Sequence, residues 1–224
     1  TAALQAAINA GRDQRLVVWF PAGTYRVSSR LEIDQPDNQG YTPVVLMGST
    51  VNPAARATIL LAPNSPGFGN PAARRAMIHF FNIGTADAES GNTDLYDQAV
   101  IGLDLKIGAG NSGAVALRMQ SAEGSTIQDV NIDLTEGGHT GVWGIPGSGG
   151  STHRLTITGG VIGIDTIKPS GEHGGTQPTP VITGSTFINQ SSWAIRSAVR
   201  GPLVLVGCRF ERDTPGAFIN LHRH

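Results

Sequence analysis

Residues 100–105, Val100-Ile101-Gly102-Leu103-Asp104-Leu105, begin a six-residue pattern that returns four more times before the chain ends. Each copy has apolar residues at its first and last positions and a glycine or an aspartate at its third. The later copies begin at Ile127, Ile157, Ile182 and Leu205. Their central residues follow one another at offsets of 27, 30, 25 and 23 residues. A period in the twenties, carried by short apolar segments, indicates a solenoid.

A second short apolar strand follows most copies, and no helical pattern separates them. Leucine-rich repeats have a similar period, but they need a Leu-x-x-Leu-x-Leu pattern that this sequence lacks. The sequence therefore predicts an all-β fold, a parallel β-solenoid in which each coil buries its apolar face against the next. At the repeat position where other copies have glycine, Asp129 is interpreted as a turn residue whose side chain bonds backbone amides.

The two ends of the chain carry different patterns. Leu4, Ala7 and Ile8 lie on one face of a predicted short helix that Thr1 caps and Gly11 ends, and we expect this helix to cover the first coil. Residues 217–224 have the pattern of a strand, which would expose an uncovered coil. We therefore expect residues 1–224 to form one β-helix domain, the N-terminal part of a longer protein with two β-helices, or to meet a partner at this end.

The composition excludes several classes of partner. Charged residues make up 15% of the chain and the net charge is −1, so a nucleic-acid partner is not expected. No apolar run approaches the roughly 20 residues of a membrane span, so no membrane partner is expected. Cys208 is the single cysteine, which precludes an intrachain disulfide, and it is interpreted as a packing residue.

The stretch Gly144-Ile145-Pro146-Gly147-Ser148-Gly149-Gly150-Ser151-Thr152 is the richest loop in glycine and serine. A phosphate-binding loop needs a lysine before its final Ser or Thr, and Gly150 stands there instead. A nucleophile elbow needs a glycine two residues before its serine, where this chain has Pro146. The loop is therefore predicted to be a turn between coils whose glycines let the backbone approach a ligand closely.

Two sets of residues carry a resemblance to known families. Residues 1–8 and 18–27 resemble the capping helix and first coil of pectate-lyase-like right-handed β-helices. Residues 110–117, 120–130, 147–150 and 159–160 resemble the N-terminal β-helix of glycoside hydrolase family 55, whose members are β-1,3-glucanases with two tandem β-helix domains. The resemblance implies a right-handed parallel β-helix with a short N-terminal capping helix, a secreted or extracellular location, and inverting exo-hydrolysis of β-1,3-glucan (laminarin).

The same resemblance assigns two catalytic positions. In that family a glutamate of the second β-helix is the general acid, and polar side chains of the first β-helix hold the attacking water. The matching residues are Gln120 and Ser148, which are 28 residues apart, close to one coil length. An amide oxygen and a hydroxyl can both accept a hydrogen bond from water, although neither is a strong base. The alternative is that both side chains only satisfy backbone amides of their turns.

Other polar residues complete the set of candidates. Trp143 could stack on a sugar ring or belong to the core of its coil. His139, His153 and Gln177 are further substrate-binding candidates. The histidines do not have the spacing of a metal site, so no metal and no cofactor are predicted. Glu172 is held in reserve for acid–base chemistry in case the chain is complete, and its alternative interpretation is a surface charge.

Two other functions remain open. A polysaccharide lyase acting on uronate polymers would abstract a proton beside a carboxylate and neutralise the charge with Ca²⁺ or an arginine. Arg154, Arg196 and Arg200 are present, but the sequence shows no carboxylate cluster facing them at the coil spacing. The third interpretation is a non-catalytic β-helix that binds glycans or forms part of a tailspike-like assembly.

Overall fold

The computed structural model describes residues 1–35, 42–82, 95–167 and 179–222. Within them the chain forms a right-handed parallel β-helix of three seven-stranded sheets, which we call sheets A, B and C. The chain passes from A to B to C in each coil, and every strand pairs in parallel with its counterpart in the neighbouring coil. The predicted fold class is therefore confirmed.

The strands are short because each coil turns sharply between sheets. Sheet A contains β1 (Val18–Trp19), β4 (Val45–Met47), β7 (Ala99–Ile101), β10 (Thr126–Gln128), β13 (Ser151–His153), β16 (Val181–Thr183) and β19 (Val204–Val206). Sheet B contains β2 (Gly23–Val27), β5 (Ala57–Leu61), β8 (Leu103–Ile107), β11 (Asn131–Leu134), β14 (Thr156–Gly159), β17 (Thr186–Ile188) and β20 (Arg209–Glu211). Sheet C contains β3 (Leu31–Gln35), β6 (Arg75–Asn82), β9 (Ala114–Arg118), β12 (Thr140–Trp143), β15 (Ile162–Asp165), β18 (Trp193–Ser197) and β21 (Ile219–Leu221). A short 3₁₀ helix spans Pro53–Ala55.

The core is built from rows of side chains that point inward and stack from coil to coil. In coils two to six, the inward residue at the centre of each strand is no more than 1% exposed. Sheet B shows the row most plainly, with Ile59, Leu105, Ile132, Ile157 and Phe187 in register. No coil could bury this apolar face alone, so the stacking of neighbours stabilises the solenoid.

The bend between sheets A and B repeats with one backbone conformation in the last five coils. Gly102, Gly184 and Gly207 have φ of 66°, 56° and 62°, and the two intervening bends place Asp129 at 54° and Arg154 at 49°. The sequence alignment of the third copy on residues 157–162 was therefore wrong, because Arg154 and not Gly159 occupies its bend. Arginine was not expected there, since positive φ favours glycine and, less strongly, Asp or Asn.

The N-terminal helix α1 spans Ala2–Gln14 and packs on β1 and β3, where it covers the first coil as predicted. It runs past Gly11 and ends at Arg15, which has a left-handed φ of 55°. Gly11 is needed for another reason, because a Cβ there would lie 3.3 Å from the Leu16 carbonyl oxygen and against Val18. Thr1 does not cap its own helix; its hydroxyl accepts a hydrogen bond from the Ser28 amide at 2.9 Å.

The three kinds of turn differ in length. Between sheets A and B the connection is one or two residues in the last five coils, such as Gly102 alone, but three residues (20–22) in the first coil and nine (48–56) in the second. Between sheets C and A it is six residues or more, and residues 36–44, 83–98, 119–125, 144–150, 166–180 and 198–203 all make this connection. Long connections on a rigid scaffold are where binding residues commonly lie. Gln120 and Ser148 both fall on this edge.

Cys208 follows the last A-to-B bend and is half-buried. It packs against the core, and its Sγ lies 3.5 Å from the Ile182 carbonyl oxygen. The interpretation of Cys208 as a packing residue is confirmed.

Candidate functional site

Two turns on the C-to-A edge, residues 119–125 and 144–150, stack directly on one another. The Met119 amide donates to the Trp143 carbonyl at 3.3 Å, and the Gly147 amide donates to the Ser121 carbonyl at 3.1 Å. The stack continues with the Ser151 amide, which donates to the Ser125 carbonyl at 2.9 Å. Gln120 and Ser148 therefore lie on adjacent coils and on the same edge of the solenoid.

The glycines of the second turn allow this close approach. A Cβ on Gly150 would lie 2.9 Å from the Ser125 carbonyl oxygen and 3.0 Å from that of Ala122. Ser148 itself has a left-handed φ of 46° and is half-buried, whereas Gln120 is only 5% exposed. The loop is thus a turn between coils, as its sequence predicted.

Glu123 adds a carboxylate to the same pair of turns. Its Cγ lies 3.5 Å from the point where a Cβ would stand on Gly149, the neighbour of Ser148. The residue is exposed. Sequence reasoning missed it, because a single glutamate in a polar turn looks like surface charge until the turns are stacked.

The outer face of sheet C carries a row of large polar and aromatic side chains. His79, Arg118, Trp143, Asp165 and Arg196 occupy equivalent positions of five successive strands. All but Arg196 are at most 7% exposed. The row leads to the C-to-A edge, because Arg118 is the last residue of β9 and Gln120 lies two residues further along, in the turn 119–125.

Trp143 lies in this outer row and not in the main core. It is 5% exposed and packs with Ala76 and Val115. The Cζ atoms of Arg118 and Arg74 lie 4.4 and 4.7 Å from its ring centroid, which is cation–π geometry. Because the indole NH also donates to the Ile167 carbonyl at 2.9 Å, this conformation holds Trp143 inside the protein and does not offer it to a sugar ring.

Asp165 is fully buried and binds two guanidinium groups. Arg74 Nη1 lies 2.7 Å from Oδ2, and Arg196 donates Nε to Oδ1 at 3.0 Å and Nη2 to Oδ2 at 2.5 Å. A buried carboxylate is stable only when it is paired in this way. The sequence showed no carboxylate cluster facing Arg154 or Arg196. In the structure Arg154 pairs with Asp129 of the preceding coil. Arg196 pairs with Asp165, also one coil earlier.

His139 lies beside this network, at the opposite end of β12 from Ser148. Its Nδ1 is 2.9 Å from the Thr140 hydroxyl, which also accepts a hydrogen bond from Arg74 at 3.0 Å. Burial, followed by the charge of Arg74, lowers the pKa of His139 below 6.5. Four strand residues at about 3.3 Å each separate it from the glycine turn, so His139 and Ser148 do not meet.

His153 lies on a different sheet from Trp143 and His139. It belongs to β13 of sheet A, where its Nδ1 is 2.6 Å from the Thr183 hydroxyl and its Nε2 contacts Arg154. The substrate-binding candidates are therefore not brought together. Glu172 and Gln177 lie outside the described residues.

His79 is a further buried group that the sequence did not single out, because residues 77–81 look like a plain apolar strand. It is 1% exposed, and its Nδ1 has no hydrogen-bond partner among the described residues. The ring lies 5.0 Å from that of Phe81. Burial, with the charges of Arg118 and Arg30, holds the pKa of His79 well below 6.5, so the imidazole is neutral.

Over the described ranges, no group of three or more His, Cys, Asp or Glu side chains has the arrangement of a metal site. Within the same ranges no helix is long and apolar enough to cross a membrane.

The three-sheet parallel solenoid with its helix at the first coil defines a pectate-lyase-like β-helix protein. Residues 1–217 match the family model described as rhamnogalacturonase A/epimerase, pectate lyase-like. The chain belongs to this family, which groups carbohydrate-active β-helix proteins, and the expected pectate-lyase-like relationship is confirmed. No curated protein and no solved structure matched the chain.

Proposed function

We propose that the chain is the water-positioning part of an inverting exo-β-1,3-glucanase that acts on laminarin-type polysaccharides. The resemblance to family 55 glycoside hydrolases and the membership of a carbohydrate-active β-helix family support this proposal. The observation that carries it is the stacking of turns 119–125 and 144–150, with the Gly147 amide bonded to the Ser121 carbonyl at 3.1 Å.

An inverting glycosidase protonates the leaving oxygen on one face of the sugar and directs a water to the other face. The Gln120 amide oxygen and the Ser148 hydroxyl accept hydrogen bonds from that water and so fix its direction of attack. The general acid is supplied by a second β-helix domain or by another partner. Asp165 does not fill that role in the proposal, because it is fully buried between two arginines.

Glu123 is our candidate for the proton acceptor. Neither Gln120 nor Ser148 removes a proton at neutral pH, so a carboxylate is needed close to the water. Glu123 is exposed and lies against Gly149 in the same pair of turns. Glu123 therefore adds to the proposed water site a carboxylate that can accept a proton, which neither Gln120 nor Ser148 provides.

The proposal is tested in the full-length enzyme, which includes the general acid, with Gln120→Ala, Ser148→Ala and Glu123→Gln each compared with the unchanged enzyme for release of reducing sugar from laminarin. We expect kcat to fall by roughly 10²-fold in each variant, because a misdirected water loses its alignment. Binding of laminarihexaose, measured by calorimetry, should change little. Ser151→Ala is the matched control, since Ser151 is exposed and its hydroxyl bonds Thr126 on sheet A at 3.0 Å. Unchanged turnover in the three variants would refute the assignment.

A second candidate function is lysis of a uronate polymer. The observation in its favour is the arginine-rich outer face of sheet C, where Arg74 and Arg196 pair with Asp165 and Arg118 lies over the neighbouring Trp143 ring. A lyase would produce an unsaturated uronate whose conjugated double bond absorbs at short ultraviolet wavelengths, whereas hydrolysis of laminarin produces no such chromophore. Saturable laminarin binding without release of reducing sugar would instead support the non-catalytic β-helix.

The remaining expectations follow from the preferred function. A β-1,3-glucan is the polysaccharide partner, and the protein acts outside the cell, where such polymers occur. No nucleic-acid or membrane partner and no cofactor is part of the proposal.

A further inference from the structure

We propose that Trp143 is a positioning residue whose ring fixes turn 144–150 against turn 119–125. Trp143 is the last residue of β12, so turn 144–150 begins directly after it. Its register partner Arg118 is the last residue of β9, and turn 119–125 begins directly after that residue. The two side chains therefore lie where the two turns start. Because Trp143 is only 5% exposed, this role involves no contact with the substrate.

Trp143 and Arg118 contact each other directly, and their backbones are joined beside that contact. The Cζ atom of Arg118 lies 4.4 Å from the centroid of the indole ring, and the Met119 amide donates to the Trp143 carbonyl at 3.3 Å. Both side chains are at most 7% exposed. A cation–π contact that is shielded from water is stronger than one at the surface. The pair therefore holds the beginnings of the two turns together.

The indole is itself held by two further contacts. Its NH donates at 2.9 Å to the carbonyl of Ile167, which belongs to the next connection on the C-to-A edge. The Cζ atom of Arg74 lies 4.7 Å from the same ring centroid, and Arg74 Nη1 lies 2.7 Å from Oδ2 of the buried Asp165. A ring held at these points has little freedom to rotate, so it gives Arg118 a fixed surface on which to stack.

The proposed water site depends on how the two turns are aligned, so this part of the inference rests on the proposed function. Gln120 and Ser148 belong to different coils, and the stacking of their turns sets the distance between them. Farther along the turns, the Gly147 amide donates to the Ser121 carbonyl at 3.1 Å. A misplacement of about 1 Å can cost roughly 10²-fold in rate. Trp143 should therefore act on kcat and not on substrate binding.

The alignment of the turns is tested by amide hydrogen exchange in the Trp143→Leu variant. The reporter is the Gly147 amide, which joins the two turns. The control is the His139 amide, which joins the same two coils beside the other end of β12, where it donates to the Ala114 carbonyl at 2.7 Å. We expect Gly147 to exchange roughly tenfold faster than in the unchanged protein and His139 to keep its rate. Unchanged exchange at Gly147, or an equal increase at both amides, would overturn the proposal.

The consequence for catalysis is tested in the full-length enzyme with laminarin as substrate. We expect Trp143→Leu to lower kcat by roughly tenfold and to change KM by less than about twofold. Trp143→Phe keeps a ring for Arg118 and should retain most of kcat. Trp193→Leu is the matched control, because Trp193 is the first residue of β18 and lies at the opposite end of the sheet C strands from the turns. An equal loss in Trp193→Leu, or no rescue by Trp143→Phe, would contradict the assignment.

A double-mutant cycle with Arg118→Met separates the stacked pair from other effects of either residue. Arg118→Met removes the cation and leaves the indole in place, so both measurements can be made on it if Trp143→Leu does not fold. We expect the double variant to lose no more kcat than the more affected single variant, whereas additive losses would refute the coupling. If the variants of Gln120 and Ser148 leave turnover unchanged, the glucanase proposal fails. Exchange at Gly147 still decides the role of Trp143 in that case.

Discussion

Asp129 and Arg154 occupy the same bend position of neighbouring coils, and their side chains form an ion pair although both backbones have positive φ. Arg154 Nη2 lies 2.6 Å from Asp129 Oδ2, and Nε binds Oδ1. The guanidinium lowers the pKa of Asp129 from its ordinary value of 3.8. The pair thus joins two coils at positions where the neighbouring coils use glycine.

This pair makes the stability of the bend depend on pH. Because the folded-state pKa of Asp129 is lowered, the contribution of the pair is present above pH 3.8 and is lost as the pH falls through the lower folded-state value. Arg154→Gly keeps the left-handed bend and removes the partner. We expect its thermal midpoint to fall less steeply than that of the unchanged protein below pH 4 or so. Equal slopes in the two proteins would contradict the prediction, and Asp129→Gly should behave like Arg154→Gly.

His79 predicts a second pH dependence in a higher range. Its folded-state pKa is well below 6.5, so the neutral ring stabilises the fold above that pH and this contribution declines as the pH falls below it. His79→Phe removes the titrating group and preserves the ring contact with Phe81. We expect the thermal midpoint of this variant to change less between pH 7 and pH 5 than that of the unchanged protein. His139→Gln is the control and should show a smaller difference, because His139 is only half-buried.

Arg74 is predicted to stabilise sheet C through Asp165. Arg74→Met leaves a fully buried carboxylate with one guanidinium partner in place of two. We expect a loss of about 2 kcal/mol in the free energy of unfolding, measured by urea denaturation. The double variant Arg74→Met/Asp165→Asn should recover part of it, because the buried charge is then removed.

The control for Arg74 is Arg209→Met. The Arg209 side chain is 73% exposed and pairs with Glu211, so its removal should change stability by no more than about 0.5 kcal/mol. If the two arginine variants lose equal stability, the role assigned to Arg74 is wrong.

Gly141 is predicted to be irreplaceable for steric reasons. A Cβ at this position would lie 2.8 Å from the Gly163 carbonyl oxygen and 2.8 Å from Ile157 Cδ1. Gly141→Ala should therefore destabilise the protein by about 2 kcal/mol or more, seen as a lower urea midpoint. Gly69→Ala is the control, since among the described residues its Cβ would meet only the Gly110 carbonyl oxygen, at 3.5 Å. Similar midpoints for the two variants would argue against close coil packing at Gly141.

The fold was predictable because apolar spacing and turn residues repeat along the chain. The bend at Arg154 was not, since its backbone conformation favours glycine and only the ion pair with Asp129 explains an arginine there. Arg74 and Asp165 are 91 residues apart, and no local pattern indicates that coil stacking brings them together. Glu123 was missed for a similar reason, because its proximity to Gly149 follows from how two turns stack. The coil spacing correctly predicted that Gln120 and Ser148 lie on the same edge of the solenoid. Their role in holding the attacking water stays a prediction.

The contrast between the A-to-B turns of one or two residues in the last five coils and the long connections from sheet C to sheet A has an evolutionary consequence. Insertions and deletions on the long edge change what the protein touches without altering a single core row, whereas a bend of one or two residues with positive φ, as in the last five coils, leaves little room for a change in length. A lineage carrying this scaffold can therefore diversify its specificity on one edge and retain its inherited stability on the other.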